Sequence, residues 1–227
     1  MSLSAARLCN VPALTHAARV TPLAHRGLWS APGERNTLSA LRGAFANGWG
    51  VELDVRDLDG VLVVSHDPPR RGALRFDAVV AAWQEGGCPG ELAINIKADG
   101  LAGAVAKALL DTDPARWFVF DMSIPDAMQY VRAEIATYTR HSDVEPEPAL
   151  YGAATGVWLD DFAGGFVDED RIAAHVAAGK RVAVVSPELH GRNHRAAWRE
   201  WSAWDVWTAP GVTLCTDHPT EAQEVFA

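Results

Sequence analysis

The stretch from Val51 to Asp67, VELDVRDLDGVLVVSHD, contains two short apolar runs separated by the turn-forming pair Asp59–Gly60. Runs rich in Val and Leu on either side of an Asp-Gly pair predict two strands joined by a tight, hairpin-like turn. Residues two apart on a strand point to the same face, so Glu52 and Asp54 would crowd two negative charges together. A bound cation would remove the cost of that crowding.

Outside this stretch, β-like apolar runs alternate with Ala-rich segments of helical character, and no linker is long enough to divide residues 1–227. Eight strands alternating with helices predict a single α/β domain, a compact (β/α)8 TIM barrel with a small hairpin-like addition after strand 2. An open doubly wound sheet is the alternative. The predicted strands are Thr21–His25, Val51–Arg56, Leu92–Ile96, Trp117–Asp121, Ile135–Thr139, Val157–Asp160, Arg181–Val185 and Val212–Thr216. The predicted helices are Ser39–Asn47, Phe76–Gln84, Leu101–Leu110, Ile124–Arg132, Asp168–Ala178, His194–Trp204 and Thr220–Phe226.

The composition is that of an ordinary globular protein, with 48% hydrophobic and 22% charged residues. A formal net charge of -9 argues against a nucleic-acid partner bound through an extended basic surface. The cysteines Cys9, Cys88 and Cys215 are too scattered to suggest a disulfide framework or a zinc site. Residues 1–20 lack the continuous apolar core of a secretory signal, and no run is long enough for a membrane span. We therefore expect a cytoplasmic protein without stable membrane insertion.

Polar side chains follow most of the predicted strands, and in a barrel such residues gather at one mouth. They are His25, Arg26, Glu52, Asp54, Asn95, Lys97, Asp121, Arg140, Asp160, Glu188 and Asp217. Oxygen ligands of this kind suit Mg²⁺ or Ca²⁺, and two nearby histidines, His25 and His66, suggest acid/base chemistry. The spacing alone leaves a second interpretation open, in which Glu52 and Asp54 form ion pairs with Arg26 or Lys97.

The order of the sequence motifs resembles the glycerophosphodiester phosphodiesterase family. The motifs are AHRG at 24–27, NT at 36–37, ELDV at 52–55, an Asp-Gly turn, VVSHD at 63–67 and TDHP at 216–219. The resemblance implies that His25 and His66 are catalytic, that Glu52 and Asp54 bind a divalent cation, Mg²⁺ or Ca²⁺, and that Arg26 meets the substrate phosphate. Lys97 is a further candidate for phosphate binding, with a structural ion pair as its alternative.

The sequence departs from that family's pattern at several places. Asn95 occupies the place of a third-strand glutamate that completes the metal site in the family, and an asparagine carbonyl can still bind Mg²⁺ or Ca²⁺ with one charge less. Arg35 directly precedes the NT motif, and we assign it no role. After the seventh predicted strand, Glu188, His190 and Arg192 are either contacts for the substrate head group or solvated loop residues.

The resemblance implies metal-dependent hydrolysis of small glycerophosphodiesters by a two-histidine mechanism. Three alternatives stay open: lyase-type cleavage that gives a cyclic phosphate, a non-catalytic protein that binds a phosphorylated ligand, and an unrelated metal-free barrel enzyme. The expected partner is a small phosphodiester. Tryptophans at 198, 201, 204 and 207 are expected to pack against the barrel, with a homodimer patch as the alternative.

Overall fold

The computed structural model describes residues 20–227. The N-terminal stretch 1–19, where we expect no secretory signal, lies outside the described residues. The strands are β1 (Thr21–His25), β2 (Gly50–Leu58), β3 (Val61–Val64), β4 (Leu74–Arg75), β5 (Leu92–Ile96), β6 (Trp117–Phe120), β7 (Tyr138–His141), β8 (Gly156–Leu159), β9 (Arg181–Val185) and β10 (Val212–Thr216). The α-helices are α1 (Leu38–Ala46), α2 (Phe76–Glu85), α3 (Ala102–Ala108), α4 (Ile124–Arg132), α5 (Glu169–Ala177), α6 (His194–Trp201) and α7 (Pro219–Val225). Short 3-10 helices span Pro32–Glu34, Pro114–Arg116, Pro187–His190 and Asp205–Thr208.

Eight parallel strands form the barrel in the order β1, β2, β5, β6, β7, β8, β9, β10, and β10 pairs with β1. The ladder is reduced to one parallel bridge between β6 and β7, where Val119 faces Thr137. At this seam the Val119 amide donates to the Ala136 carbonyl at 2.9 Å. The predicted (β/α)8 barrel is therefore confirmed, with one loosely paired seam.

Stacked aromatic rings fill the barrel interior next to this seam. The Phe118 ring on β6 stacks on Tyr138 of β7 with centroids 3.7 Å apart, and Phe120 stacks on Trp158 of β8 at 3.9 Å. A Cβ on Gly156 would lie only 2.4 Å from the Tyr138 ring, so a glycine is required there. Ring packing, rather than backbone pairing, holds the two sides of the seam together.

The hairpin-like addition after strand 2 is also confirmed. Strand β3 pairs antiparallel with the second half of β2, and β4 pairs with β3. Asp59 and Gly60 have positive φ angles of 52° and 78°, as a two-residue turn of type I′ requires. The hairpin returns the chain to the barrel mouth, where the Ser65 amide donates to the Asp54 carbonyl at 3.0 Å.

Most predicted elements match the structure to within two residues at each end, and two differ by three residues at one end. The predicted strand Ile135–Thr139 is displaced, and β7 begins at Tyr138. The Ile135 amide donates to the Tyr130 carbonyl in the turn that follows α4, so Ile135 does not belong to the strand. The predicted helix His194–Trp204 ends at Trp201. Tryptophans 198, 201 and 207 are buried in the outer layer, which confirms their expected packing role.

Two of the three cysteines lie within the described residues. Cys215 on β10 is buried and free, and Cys88, between α2 and β5, is also buried. No helix within residues 20–227 is long and apolar enough to cross a membrane.

Candidate active site

His25 ends β1 and is held by an acidic residue from the far end of the chain. Its Nδ1 lies 2.6 Å from Asp217 Oδ1, and because a carboxylate only accepts, Nδ1 carries the proton. The other ring nitrogen, Nε2, lies 3.8 Å from Glu52 Oε2. Arg35 donates to the second Asp217 oxygen at 3.2 Å. Pairing of β1 with β10 thus fixes the orientation of the imidazole.

Arg26 and Gly27 turn the chain sharply after β1. Arg26 has a φ of 59°, a conformation that is uncommon outside glycine, and its amide donates to the Glu52 carbonyl at 2.8 Å. Gly27 has a φ of 92°, and a Cβ there would lie 2.6 Å from the Ala40 backbone in α1. This turn brings Arg26 Nε to 3.0 Å from Asp54 Oδ2.

Asp54 is fully buried on β2, and basic side chains surround it. Besides Arg26, it contacts Lys97, whose Nζ is 3.6 Å from Oδ1, and Asn36 donates to Oδ2 at 2.9 Å. The alternative interpretation of ion pairs with Arg26 and Lys97 therefore holds for Asp54. Its negative charge is compensated within the protein.

Glu52 lies two residues earlier and has a different environment. Its side chain is 2% exposed, and its hydrogen-bond partner is Asn95, whose Nδ2 donates to Oε1 at 3.2 Å. Burial raises the pKa of Glu52 to about 7, the neighbouring Asp54 charge adds to this shift, and His25, Arg26 and Lys97 oppose it. The two carboxylates of the ELD motif thus differ in how well their charges are neutralised.

Each of the three predicted metal ligands has one buried oxygen without a hydrogen-bond partner: Glu52 Oε2, Asp54 Oδ1 and Asn95 Oδ1. Carboxylate and amide oxygens are the ligands that Mg²⁺ and Ca²⁺ prefer, so this donor set fits a hard divalent cation. Within residues 20–227 no group of three or more His, Cys, Asp and Glu side chains is placed to hold a metal. A cation here would therefore depend on two carboxylates and the Asn95 amide.

His66 follows β3 at the rim of the mouth. It is 49% exposed, and its Nδ1 lies 2.9 Å from the exposed Asp67 Oδ1. It lines a cavity of about 540 Å³ together with the other sequence-predicted residues apart from Asp54, namely His25, Arg26, Glu52, Asn95 and Lys97. We call the near wall the side formed by His25, Arg26, Glu52, Asp54, Asn95 and Lys97.

The other side of the cavity is lined by Arg140, Glu145, Asp160 and His190, which lie on or after strands β7 to β9. Together with Asp121, which follows β6 and forms an ion pair with Arg140, we call these residues the far wall. Arg140 forms ion pairs with Asp121, Asp160 and Glu145, the last with Nε to Oε2 at 3.2 Å. Burial would raise the pKa of Asp121, but Arg140 and Lys97 together lower it. His190 Nε2 lies 2.6 Å from Asp160 Oδ1.

Sequence reasoning assigned no role to Asp217, although it stands among the residues that follow strands. Glu188, which had solvation as its alternative, is instead mostly buried and accepts from the Asp217 amide at 3.0 Å and from Thr216 Oγ1 at 2.5 Å. Arg192 donates to the Asp161 carbonyl. The TDHP motif marked Asp217 as a candidate site residue. Its contact with His25 spans 192 residues, however, and forms only when β10 pairs with β1 in the barrel.

The fold has close counterparts among solved structures. A proposed glycerophosphodiester phosphodiesterase from Galdieria sulphuraria matches with a TM-score of 0.70 and 14% identity over 91% of this chain and 97% of that one. The glycerophosphodiester phosphodiesterase from Agrobacterium tumefaciens matches with a TM-score of 0.65 and 20% identity over 90% and 99%. The chain has the fold of these phosphodiesterases.

A glycerophosphoryl diester phosphodiesterase from Parabacteroides distasonis also matches, with a TM-score of 0.58 and 13% identity over 92% of this chain and 87% of that one. No family model matches the chain, and no curated protein matches it by sequence. The likeness seen in the motifs is thus confirmed for the whole fold, at low identity.

Proposed function

We propose that the protein hydrolyses small glycerophosphodiesters to an alcohol and glycerol phosphate. The observation that carries the proposal is the placement of His25, oriented by Asp217, in one cavity with Arg26, Lys97 and Glu52. A phosphodiester is an anion, and Arg26 and Lys97 are the cations of the near wall that can meet its oxygens. The fold shared with known phosphodiesterases supports the same reaction.

In the proposed mechanism, His25 acts as the general base. Its Nδ1 proton remains on the ring and is donated in a hydrogen bond to Asp217, so Nε2 is available to accept a proton from the attacking oxygen. Arg26 and Lys97 bind the nonbridging phosphate oxygens and stabilise the charge that develops on them. A second imidazole that lines the cavity donates a proton to the leaving alcohol, and the resemblance to the phosphodiesterase family implies that this residue is His66.

We further propose that the near wall binds Mg²⁺ or Ca²⁺ through Glu52, Asp54 and Asn95. Such an ion would act as a Lewis acid on the phosphoryl group. The three unpartnered buried oxygens and the raised pKa of Glu52 support this assignment, because a cation would satisfy both.

Phosphorus NMR of a glycerophosphodiester mixture tests the proposal, with Mg²⁺, with Ca²⁺ and with chelator. We expect metal-dependent turnover that falls by about 10²–10⁴-fold in His25→Ala, the usual contribution of a general base, and that is lost in Glu52→Ala. A transient cyclic phosphate would show that a substrate hydroxyl attacks first. Absence of turnover with any metal, in protein shown to be folded, would contradict hydrolysis and favour a phospho-ligand-binding protein.

A further inference from the structure

The far wall contains an imidazole that the proposed mechanism does not use. His190 ends the 3-10 helix after β9 and lines the same cavity as His25 and Lys97. Its Nε2 lies 2.6 Å from Asp160 Oδ1. Asp160 is buried and also accepts from Arg140 and, at 2.9 Å, from the Asp161 amide. The ring is therefore held by a carboxylate that is itself fixed from two sides.

The orientation of His190 follows from these contacts. Because Nε2 donates to Asp160, Nδ1 is the ring nitrogen available to a substrate, and it has no hydrogen-bond partner within residues 20–227. The ring packs beside Phe162 with centroids 4.5 Å apart. His25 has the same arrangement with its nitrogens exchanged, since Nδ1 binds Asp217 and Nε2 is free. The cavity thus holds two imidazoles, each oriented by its own aspartate.

His66 is held less firmly than His190. It is 49% exposed, whereas His190 is 22% exposed, and its carboxylate partner Asp67 is itself exposed. Exposed pairs of this kind contribute little and hold geometry loosely. Proton transfer to a leaving group is favoured by a donor held in a defined position, which the contact with Asp160 gives to His190.

The position of His190 in the barrel also brings it near His25. The residue follows β9, and only β10 lies between β9 and β1, the strand that ends at His25. Both imidazoles line the cavity that contains Arg26 and Lys97. A phosphodiester bound by these two cations would therefore share the cavity with one imidazole that can accept a proton and a second that can donate one.

We infer that His190, held by Asp160, protonates the leaving alcohol, in the step that the resemblance gives to His66. This inference rests on the proposed hydrolysis. Water attacks phosphorus and gives a proton to Nε2 of His25. The bond from phosphorus to the alcohol oxygen breaks, its electron pair stays on that oxygen, and the oxygen takes the Nδ1 proton of His190, which enters the step as an imidazolium. His190 is left neutral, and its Nε2 proton remains on the ring, hydrogen-bonded to Asp160.

The test compares two diesters of glycerol phosphate, one with p-nitrophenol and one with ethanol, in the presence of Mg²⁺. Nitrophenolate leaves without a proton, whereas ethoxide needs one. For His190→Gln we expect a loss of kcat/KM of about 10²-fold or more on the ethyl ester and a small loss on the nitrophenyl ester. His66→Gln should affect both esters alike. The exposed His218 provides the matched control His218→Gln, which should leave both rates unchanged.

The nitrophenyl ester also reports whether each variant is folded. Equal losses on both esters in His190→Gln would overturn the inference and leave a positioning role only. A loss confined to the ethyl ester in His66→Gln, with His190→Gln unaffected, would assign the proton to His66 and leave the proposed hydrolysis standing. If the wild-type protein cleaves neither ester, the proposed function fails, and the inference fails with it.

Discussion

The two walls of the barrel mouth contain similar residue types, but they differ in whether the buried side-chain oxygens have hydrogen-bond partners. In the far wall, Arg140 is surrounded by three carboxylates, and no buried side-chain oxygen of this group lacks a hydrogen-bond partner. In the near wall, oxygens of Glu52, Asp54 and Asn95 lack such partners. Buried polar groups are rarely left unsatisfied without a functional reason. The far wall satisfies its own buried side-chain oxygens, whereas the near wall leaves room for the cation that we propose.

Replacing Arg140, the basic side chain at the centre of the far wall, should have the largest effect on stability. Arg140→Ala leaves Asp121 and the buried Asp160 without their main counter-charge, and breaking such a pair typically costs ~3–5 kcal/mol of unfolding free energy. Urea unfolding measures the loss. The matched control is Arg75→Ala, because the pair of Arg75 with Asp77 is exposed and should contribute little to stability. Equal effects of the two variants would contradict the view that the far wall is a preformed network.

The near wall should make the metal-free protein less stable as the pH rises. Glu52 keeps its proton up to a pKa of about 7, against 4.5 in an unfolded chain, so the native state binds more protons between these values. Stability contributed by this group is then lost from pH 4.5 to 7, by a free energy on the order of 3 kcal/mol. Denaturation in chelator across this range measures the slope.

Glu52→Gln should remove that slope, and saturating Mg²⁺ should reverse it in the wild-type protein, because the ion binds the charged carboxylate. The far wall should show the opposite sign. The lowered pKa of Asp121 adds stability that is lost only as the pH falls below its ordinary value of 3.8. A wild-type slope that Glu52→Gln leaves unchanged would contradict the environment described for Glu52.

A smaller effect is expected from restoring a third carboxylate. Asn95→Glu should strengthen Mg²⁺ binding by about tenfold, or ~1.4 kcal/mol, because it adds a negative charge next to the two existing ligands. Calorimetric titration measures the affinity. Gln84→Glu adds the same charge on the exposed face of α2 and serves as the control. Unchanged or weaker binding in Asn95→Glu would remove Asn95 from the proposed ligand set.

The sequence predicted the barrel well because each strand is an apolar run between clear turn signals. Strands β1, β5, β9 and β10 have the predicted bounds. The error at β7 has a physical cause, since Ile135 is apolar because it is buried beside α4 and not because it pairs in the sheet. A local apolar pattern shows which residues are buried. The position of the neighbouring strand determines where pairing in the sheet begins.

The motifs also brought most near-wall residues together, and five of the six line one cavity with His66. The pairing of His25 with Asp217 and of His190 with Asp160 could not be predicted, because these contacts span 192 and 30 residues. Nor could the sequence show that Asp54 is neutralised by Arg26 and Lys97 while Glu52 is not. That difference depends on side-chain directions at the mouth of the closed barrel.

Calorimetric titration of Mg²⁺ and Ca²⁺ into chelator-treated protein, with Glu52→Gln and Arg75→Ala in parallel, tests the central claim most directly. We predict one binding site in the wild-type protein and in Arg75→Ala, and loss of that site in Glu52→Gln. Absence of binding in the wild-type protein, or equal binding in Glu52→Gln, would contradict the assignment of the near wall as a cation site.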